Sequence, residues 1–268
     1  MKTYETPDNI VELLNGIISS AAKTGLYGSR LAGIRSISTP NDFRAISATL
    51  LSELRSQKLR HVLGEADKID WIVAASEGQS PALAAIAESA DEGAIRYDIL
   101  ADAVKERIPL DESTVCVVVS TPDRRYFASE IATILIAAGA QAHVFTDKGR
   151  IRAYQRIDIV APKIVVMLSD RMSEERLPES VELCISFNRE HRLSRLPQLD
   201  VYQVDGLGFL GHSADRQTYA LNSDTFYFEQ SDDRELIVTP LYSRVQPALR
   251  VRTGDRVEFL SQSRMRFI

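Results

Sequence analysis

The chain is poor in the residues that build metal centres and disulfide frameworks, with two cysteines and four histidines in 268 residues. Cys116 and Cys184 lie in separate apolar, strand-like runs, which is typical of buried thiols rather than of a disulfide pair. The histidines are scattered without the spacing of metal ligands. We therefore expect two free, buried cysteines and no zinc site.

The chain also lacks an excess of positive charge and a long apolar run. Its net charge of -5 and isoelectric point near 5.5 argue against a nucleic-acid partner. No apolar run approaches the ~20 residues that span a bilayer, and the first ten residues have no apolar signal core. We expect a cytoplasmic globular protein without a membrane partner, since 44% of its residues are hydrophobic and 26% are charged.

Motifs of covalent catalysis are missing, and one nucleotide motif is incomplete. No nucleophile elbow and no cysteine–histidine arrangement is found. Glycines from Gly206 to Gly211 match the spacing G-x-G-x-x-G after a strand, but residues 212–216 do not continue as a helix. A dinucleotide site needs that helix to face the pyrophosphate, so we do not expect NAD binding.

The pattern of apolar residues predicts alternating helices and strands. Helices are predicted at Ile10–Ala21, from the capping residue Thr39 through Leu54, and at Pro81–Ala90, Ile95–Arg107 and Phe127–Ala138. Strands are predicted at Trp71–Ala75, Val115–Val119, Ala142–Phe145, Ile164–Leu168, Leu183–Phe187 and Leu199–Val204. This alternation indicates an α/β fold with a mainly parallel sheet flanked by helices.

The character of the chain changes after about residue 197. The remainder carries short β segments such as Thr225–Glu229 and no long helical pattern. We therefore predict an α/β lobe over residues 1–196 and a smaller β-rich lobe over residues 197–268, packed as one compact unit.

The β-rich part contains the most informative segment. Glu235–Leu241 and Leu249–Arg252 read as two strands, and Thr253-Gly254-Asp255 then reads as a tight turn at a strand end. A carboxylate in such a turn accepts hydrogen bonds only, which suits the paired hydroxyls of a ribose. The alternative is that this Gly-Asp turn does no more than reverse the chain.

The whole segment from Glu235 to Asp255 resembles the adenylate-forming ligases, most closely their phenylacetate-coenzyme A ligase branch. Shorter matches at residues 24–34, 138–144 and 161–166 are in the same order as in that family. The resemblance implies the fold of the large N-terminal domain of these ligases. It also implies that Asp255 holds the ribose of ATP, with Arg252 beside it in the nucleotide site.

Two further parts of a nucleotide site follow from the resemblance, and both depart from the family pattern. Asp205, Gly206, Leu207 and Gly208 occupy the place of the turn that lines the adenine and the acid, but the Glu that binds Mg²⁺ is missing there. Asp205 is either a substitute ligand or a turn former. The counterpart of the phosphate loop lacks its usual Thr-Thr-Gly and Lys; the residues that would approach the phosphates are Ser76, Gly78, Gln79 and Ser80.

Two functions therefore stay open. One is a non-catalytic or partner-dependent relative that binds a nucleotide, a carboxylic acid or a biosynthetic partner such as an acyl carrier. The other is an active enzyme that uses ATP to form an acyl or aryl adenylate and then a thioester. The altered phosphate loop, the missing Glu and the absence of a lid sequence after Asp255 favour the first. ATP or AMP is the expected ligand, with Mg²⁺ only where a nucleotide is bound, and the family habit predicts a homodimer.

Overall fold

The computed structural model of the protein describes residues 7–75, 84–147, 150–169, 172–191 and 195–268. The α-helices are α1 Ile10–Ala21, α2 Pro40–Arg44, α3 Leu51–Ser56, α4 Leu59–Val62, α5 Ala90–Lys105, α6 Arg125–Ala137 and α7 Arg150–Val160. Within these ranges no helix combines the length and the apolar character that crossing a membrane requires.

The strands confirm the predicted α/β class. They are β1 Thr49–Leu50, β2 Trp71–Ala75, β3 Ala84–Glu88, β4 Val115–Ser120, β5 Gln141–Thr146, β6 Ile164–Leu168, β7 Leu183–Phe187, β8 Gln198–Val204, β9 Gly208–Ser213, β10 Tyr219–Leu221, β11 Phe226–Gln230, β12 Glu235–Pro240, β13 Val251–Ser261 and β14 Arg264–Phe267. Both cysteines are buried thiols, as the sequence predicts.

The chain forms two compact units, and each draws on separate stretches of sequence. The first unit comprises Arg96–Gln203 and Gly211–Tyr219. The second comprises the described residues up to Ile95, Val204–Leu210 and Ala220–Ile268. The division of the chain into lobes at residues 1–196 and 197–268 remains a prediction.

The first unit is built on a parallel sheet in the order β8-β7-β6-β4-β5. The middle strands are buried except for the half-buried Val115 at the start of β4, which explains their mostly β-branched and apolar sequence. Val117 and Val119 of β4 pack in one core cluster with Tyr154 and Ile157 of α7. Helix α6 packs on β4 and β5. The crossover from β4 to β5 contains α6, and the crossover from β5 to β6 contains α7 and runs in the opposite direction along the sheet. Right-handed crossovers therefore place α6 and α7 on opposite faces of the sheet.

Helix α6 ends where the sequence predicts, at Gly139. The Ala140 N–H donates to the Leu135 carbonyl and the Gly139 N–H to the Ile136 carbonyl, each at 3.0 Å. This is the Schellman pattern, and it requires the left-handed backbone that Gly139 adopts at φ +110°. The turn returns the chain directly into β5.

The second unit contains the antiparallel order β11-β12-β13-β14, with β1 parallel to β13, and a separate β2–β3 hairpin. The helix predicted at Pro81–Ala90 is wrong for its described part, because Ala84–Glu88 is strand β3. The indole N–H of Trp71 donates to the Glu88 carboxylate at 3.1 Å in this hairpin. Tertiary pairing here overrides the helix propensity of the alanines.

The helix predicted from Thr39 through Leu54 is also wrong as one element. The capping box of Thr39 and Asp42 is present, but helix α2 ends at Arg44 and a second helix starts at Leu51. Thr49 lies between them and pairs with Val251; its N–H donates to the Arg250 carbonyl at 2.8 Å. A long-range strand pair therefore interrupts the helical periodicity.

Candidate functional site

The carboxyl ends of the parallel strands in the first unit carry a concentration of buried polar groups. Taken in chain order, the five strands have the order 2-1-3-4-5, in which the direction of the crossovers changes at the first strand, β4. In open α/β sheets, ligands bind outside the carboxyl ends of the strands at this switch point. The residues at the ends of β4, β5 and β6 are therefore the first candidates for a binding site.

Three of these residues form the switch-point cluster: Ser120, Asp147 and Ser169. The register pairs Ser120 with both Thr146 and Leu168, so Asp147 and Ser169 follow on either side of it. The Ser169 hydroxyl donates to Asp147 Oδ2 at 3.3 Å, which joins the ends of β5 and β6 across the end of β4. All three side chains are at most 3% exposed.

The Ser120 hydroxyl is the notable member of this cluster. It has no hydrogen-bond partner among the described residues, although it is fully buried. Buried hydroxyls in native proteins normally have a partner, which is often a water or a ligand. Since Val119 packs on the side of α7 with Phe145 and Met167, Ser120 faces the other side of the sheet from the Asp147–Ser169 bridge, and its hydroxyl is unused by the described residues.

An arginine clamp borders the cluster within the same unit. Arg124, just before α6, donates to both carboxylate oxygens of Glu190 at 2.5 and 2.8 Å, and to the Leu168 carbonyl at 3.5 Å. A bidentate pair of this kind fixes geometry more firmly than a single contact does. It joins the segment after β4 to the turn after β7, over the end of β6.

The turn after β7 is held by a second buried carboxylate. Asp200 is fully buried and accepts from the Ser186 hydroxyl at 2.5 Å, from the Arg189 N–H at 3.1 Å and from the Tyr219 hydroxyl. Asn188 and Arg189 both have positive φ, at 51° and 62°. Such backbone persists only where the surroundings enforce it, and Asp200 supplies that support.

In the second unit, the structure corrects the turn predicted at Thr253-Gly254-Asp255. These residues lie inside the long strand β13. Glu235 and Ile237 of β12 are two residues apart, but the residues of β13 that pair with them, Arg256 and Arg252, are four apart. The additional residues form a bulge, which Gly254 permits with φ +90°. Asp255 is half-buried in this bulge.

Arg252, predicted for the nucleotide site, is engaged by the protein. Its Nε donates to Glu235 at 2.6 Å and a terminal nitrogen donates to Asp233 at 2.8 Å. The hydrogen bond that Arg252 donates to Glu235 raises the pKa of Arg252. The other oxygen of Glu235 accepts from the Gly254 N–H at 2.7 Å, so Glu235 supports the bulge as well. These contacts give Arg252 a structural role in the bulge.

The predicted adenine turn is also tied into the second unit. Gly206 and Gly208 have φ of 84° and 102°, and Arg244 donates to the Gly206 carbonyl at 2.8 Å. Arg55 donates to Asp205 at 3.2 Å, and Leu207 is 1% exposed. A buried Leu207 belongs to the core rather than to an open pocket wall.

The space beside this turn is small. A cavity of about 20 Å³ borders Asp205, Gly206 and Arg55, which is room for about one water molecule. Strand β9 follows directly from Gly208, in agreement with the expectation that Gly206–Gly211 is not a dinucleotide fingerprint. Ser76, Gly78, Gln79 and Ser80, predicted to approach the phosphates, lie outside the described residues.

A Mg²⁺ site at Asp205 does not fit the arrangement. The Asp205 carboxylate accepts from Arg55, and a cation would have to compete with that guanidinium. No group of three or more His, Cys, Asp or Glu suited to a metal occurs in the part of the chain that the structure describes. Asp255, by contrast, is a half-buried carboxylate of the acceptor-only kind that a ribose requires.

The sequence-based site missed the switch-point cluster and the arginine clamp. A signal was available, because Ser120 and Ser169 directly follow predicted strands and Asp147 comes two residues after the predicted strand Ala142–Phe145. The carboxyl ends of parallel strands meet at one edge, so polar residues in those places are expected to converge. Only the strand order shows which of them are neighbours.

Comparison with known proteins gives the class of fold. No protein-family model and no curated protein matches the chain. A solved open conformation of 2-hydroxyisobutyryl-CoA ligase, in complex with 2-HIB-AMP and CoA, matches with a TM-score of 0.71 and 14% identity, over 96% of this chain and 67% of that chain. The same ligase in its thioesterification state gives a TM-score of 0.72 at 14% identity, over 96% and 66% of the two chains.

More distant matches are of the same class. Amide bond synthetase McbA from Marinactinospora thermotolerans matches with a TM-score of 0.51 and 13% identity, over 79% of this chain and 50% of that chain. O-succinylbenzoate coenzyme A synthetase from Bacillus subtilis, in complex with AMP, gives 0.50 and 9%, over 73% and 48%. The chain therefore has the fold of the adenylate-forming ligases, which is the fold that the resemblance of its motifs implies. It spans about two thirds of the length of the 2-hydroxyisobutyryl-CoA ligase chains.

Proposed function

We propose that this protein is a non-catalytic or partner-dependent relative of the adenylate-forming ligases that binds a carboxylic acid and a nucleotide. The pairing of Asp205 with Arg55 carries the proposal. Asp205 is the carboxylate that the sequence offers in place of the missing metal-binding Glu, and an arginine neutralises it. ATP-dependent adenylation needs a cation such as Mg²⁺ to neutralise the polyphosphate. The only carboxylate of the 205–208 turn, Asp205, is already paired with Arg55 and is therefore a poor ligand for Mg²⁺.

The binding functions rest on other residues. Asp255 is proposed to accept from the ribose hydroxyls of AMP or ATP, and the switch-point cluster is proposed to lie in the acid site. The fold supports both assignments, since its neighbours include complexes with an acyl adenylate, CoA and AMP. An acyl carrier or another biosynthetic enzyme would then act as the partner, and homodimer formation and a phenylacetate-like acid belong to the same proposal.

The alternative is an active adenylating enzyme, and the match to ligase complexes favours it. An ATP–pyrophosphate exchange assay over aromatic and short-chain acids separates the two functions. We expect no exchange above background for the protein alone. Exchange with any acid that is lost in Asp255→Ala would establish the active enzyme.

Nucleotide binding is tested separately by calorimetric titration with AMP. We expect binding by the unmodified protein and weaker binding by Asp255→Ala, because the ribose loses its acceptor. Asp224→Ala, which changes an exposed aspartate of the same unit, is the matched control. Equal affinities in all three proteins would remove Asp255 from the site.

A further inference from the structure

Strand β5 lies at the end of the parallel sheet in the first unit. All 6 of its residues pair with β4 in a regular register, and no other strand pairs with it in the part of the chain that the structure describes. The Gln141 N–H donates to the Thr114 carbonyl, directly before β4, at 2.9 Å. Bonds to one neighbour alternate along a parallel strand, so the backbone N–H and C=O groups of Ala142, Val144 and Thr146 point away from β4. These groups form the open edge of β5.

The sequence of β5 has none of the features that protect an open edge. Natural edge strands avoid pairing with other chains by means of charged residues, proline or bulges. Residues 141–146 read Gln-Ala-His-Val-Phe-Thr, without Asp, Glu, Lys, Arg or Pro. Gln141 and His143 are exposed, and the other four side chains are half-buried. A regular, uncharged edge of this kind is a template for a further strand.

Two copies of β5 complement each other when they run antiparallel around a two-fold axis. An axis at Val144 pairs the two Val144 residues with each other, and pairs Ala142 with Thr146 of the second copy. Every outward residue then lies in a hydrogen-bonded pair, which gives about six backbone hydrogen bonds at two for each pair. A charged residue near the axis would meet its own charge, and the uncharged strand avoids this in a chain of net charge -5.

Helix α6 lies beside this edge, because it packs on β4 and β5. Its other neighbour is α5, since Arg96 of α5 pairs with Glu130 of α6 at 2.7 Å. The segment that follows α5 reaches β9, where Glu106 lies 3.6 Å from His212. Helix α5 is therefore on the inner side of α6, toward the middle of the sheet. The opposite side of α6 faces the open edge of β5.

The side of α6 that faces the edge contains Ala132 and Ile136 and is called the outer flank. These residues come two and six positions after Glu130, which turns them from it by about 200° and 240° around the helix. Ile136 is 54% exposed although it is apolar, and Ala132 presents no more than a methyl group. The outer flank thus offers one small and one large apolar side chain beside β5.

Pairing of the two β5 strands brings the two outer flanks together. Adjacent strands are about 4.8 Å apart, so helices that lie over β4 and β5 in each copy would be about 10 Å apart, a normal packing distance. The rise per residue of helix and strand places Ala132 about level with Val144 and the axis. Arg125 at the start of α6 then lies near the C-terminal end of the second copy's α6, where a cation is favourable.

Resting on the homodimer that belongs to the proposed function, we propose that two copies of this chain associate through β5 and the outer flank of α6. The two parallel sheets then continue into each other across an antiparallel β5 pair. One strand and one helix from each copy make an interface at the small end of the known range. We therefore expect a dissociation constant of about 1 to 100 micromolar.

Sedimentation equilibrium of the full chain from about 1 to 500 micromolar tests the association. The mass should rise with concentration from the 29.9 kDa of one chain toward twice that value. Ile136→Lys places a charge in the helix contact and should weaken association at least about tenfold, without a change in melting temperature at low concentration. Leu260→Lys, at a leucine of the second unit that is 48% exposed, is the matched control and should associate normally.

A second variant tests the backbone pairing. Ala142→Pro removes an outward N–H, which an edge strand tolerates, and should also weaken association at least about tenfold. Ala142→Thr keeps the N–H and should associate normally. If Ala142→Pro fails to fold, Ile136→Lys decides alone.

Cysteine substitution tests the register. The two Val144 residues would have Cα atoms about 5.5 Å apart, within the range of a disulfide, whereas the two Thr146 residues would be about 14 Å apart. Under mild oxidation Val144→Cys should give a covalent dimer and Thr146→Cys should not. The buried Cys116 and Cys184 are present in both variants and supply the same background. Cross-linking of Thr146→Cys alone, or of neither variant, overturns the register.

The outcomes separate this surface from the proposed function. A monomeric mass over the whole concentration range removes the homodimer together with its surface. A dimer that forms equally well in Ile136→Lys and Ala142→Pro overturns the surface and leaves the homodimer in place. Binding of AMP and ATP–pyrophosphate exchange are measured independently, so neither result decides the association.

Discussion

The two units hold their buried carboxylates by different means. In the second unit, Glu92 accepts from Arg244 at 3.1 Å and Glu229 accepts from Arg250 at 2.9 Å. In the first unit, Asp200 accepts from two hydroxyls and a backbone N–H. An arginine fixes both the charge and the geometry of its partner, whereas hydroxyls reorient easily. The second unit thus holds these buried carboxylates with counter-charges, and the first holds Asp200 with hydroxyl and backbone donors.

The largest effect is expected from breaking the Arg244–Glu92 pair. Arg244 and Glu92 are 5% and 3% exposed, so Arg244→Met leaves a buried carboxylate without its main counter-charge. We expect a loss of about 3 to 5 kcal/mol in the free energy of unfolding, measured by urea denaturation. The double variant Glu92→Leu with Arg244→Met should lose less, because it leaves no buried charge. A double variant as unstable as the single one would contradict this.

The hydroxyl network of the first unit should cost less to break. Tyr219→Phe removes one hydroxyl that donates to the buried Asp200 carboxylate. We expect a loss of about 1.5 to 3 kcal/mol by urea denaturation, the usual range for a hydrogen bond to a charged group. The matched control is Tyr126→Phe, whose ring is 82% exposed. Equal stability of the two variants would show that Asp200 does not depend on Tyr219.

Alkaline pH should lower the free energy of unfolding, because the first unit buries the titratable side chains of Tyr219 and Cys116. Burial, followed by the charge of Asp200, raises the pKa of Tyr219, and burial raises the pKa of the Cys116 thiol to about 12. Groups with raised pKa values stabilise the folded state below their unfolded pKa and lose this contribution as the pH rises. We expect unfolding free energy to fall from about pH 9 upward by up to about 1.4 kcal/mol per pH unit and group.

The control for the pH dependence is a pair of variants. Tyr219→Phe should flatten the fall above about pH 10, and Cys116→Val should flatten it from about pH 9. The measurement is a series of urea denaturations from neutral to alkaline pH. An unchanged slope in both variants would assign the alkaline loss to other groups.

Local patterns in the sequence predicted much of the fold and little of the site. The strands Ile164–Leu168 and Leu183–Phe187 are found with the bounds that their buried apolar runs indicate. The hairpin strand Ala84–Glu88 and the strand pair of Thr49 were missed, because distant residues decide both. The Thr253-Gly254-Asp255 bulge was read as a turn for the same reason, since only its pairing with Glu235 and Ile237 distinguishes the two.

The smallest effect is expected at Arg55 and Asp205. Their side chains are 20% and 24% exposed, so solvent and salt screen the pair. A double-mutant cycle with Arg55→Met and Asp205→Asn should give a coupling of about 0.2 to 1 kcal/mol in urea denaturation, and less at high salt. Arg266→Ala, at a more exposed pair with Glu258, is the control and should change stability by a few tenths of a kcal/mol at most.

A coupling well above 1 kcal/mol that does not respond to salt would contradict this picture and make Asp205 a structural residue like Glu92. The expected weak coupling has a different consequence. The 205–208 turn would then be held mainly by the hydrogen bond from Arg244 to the Gly206 carbonyl. Asp205 would then be paired with a neighbour that contributes little to the fold.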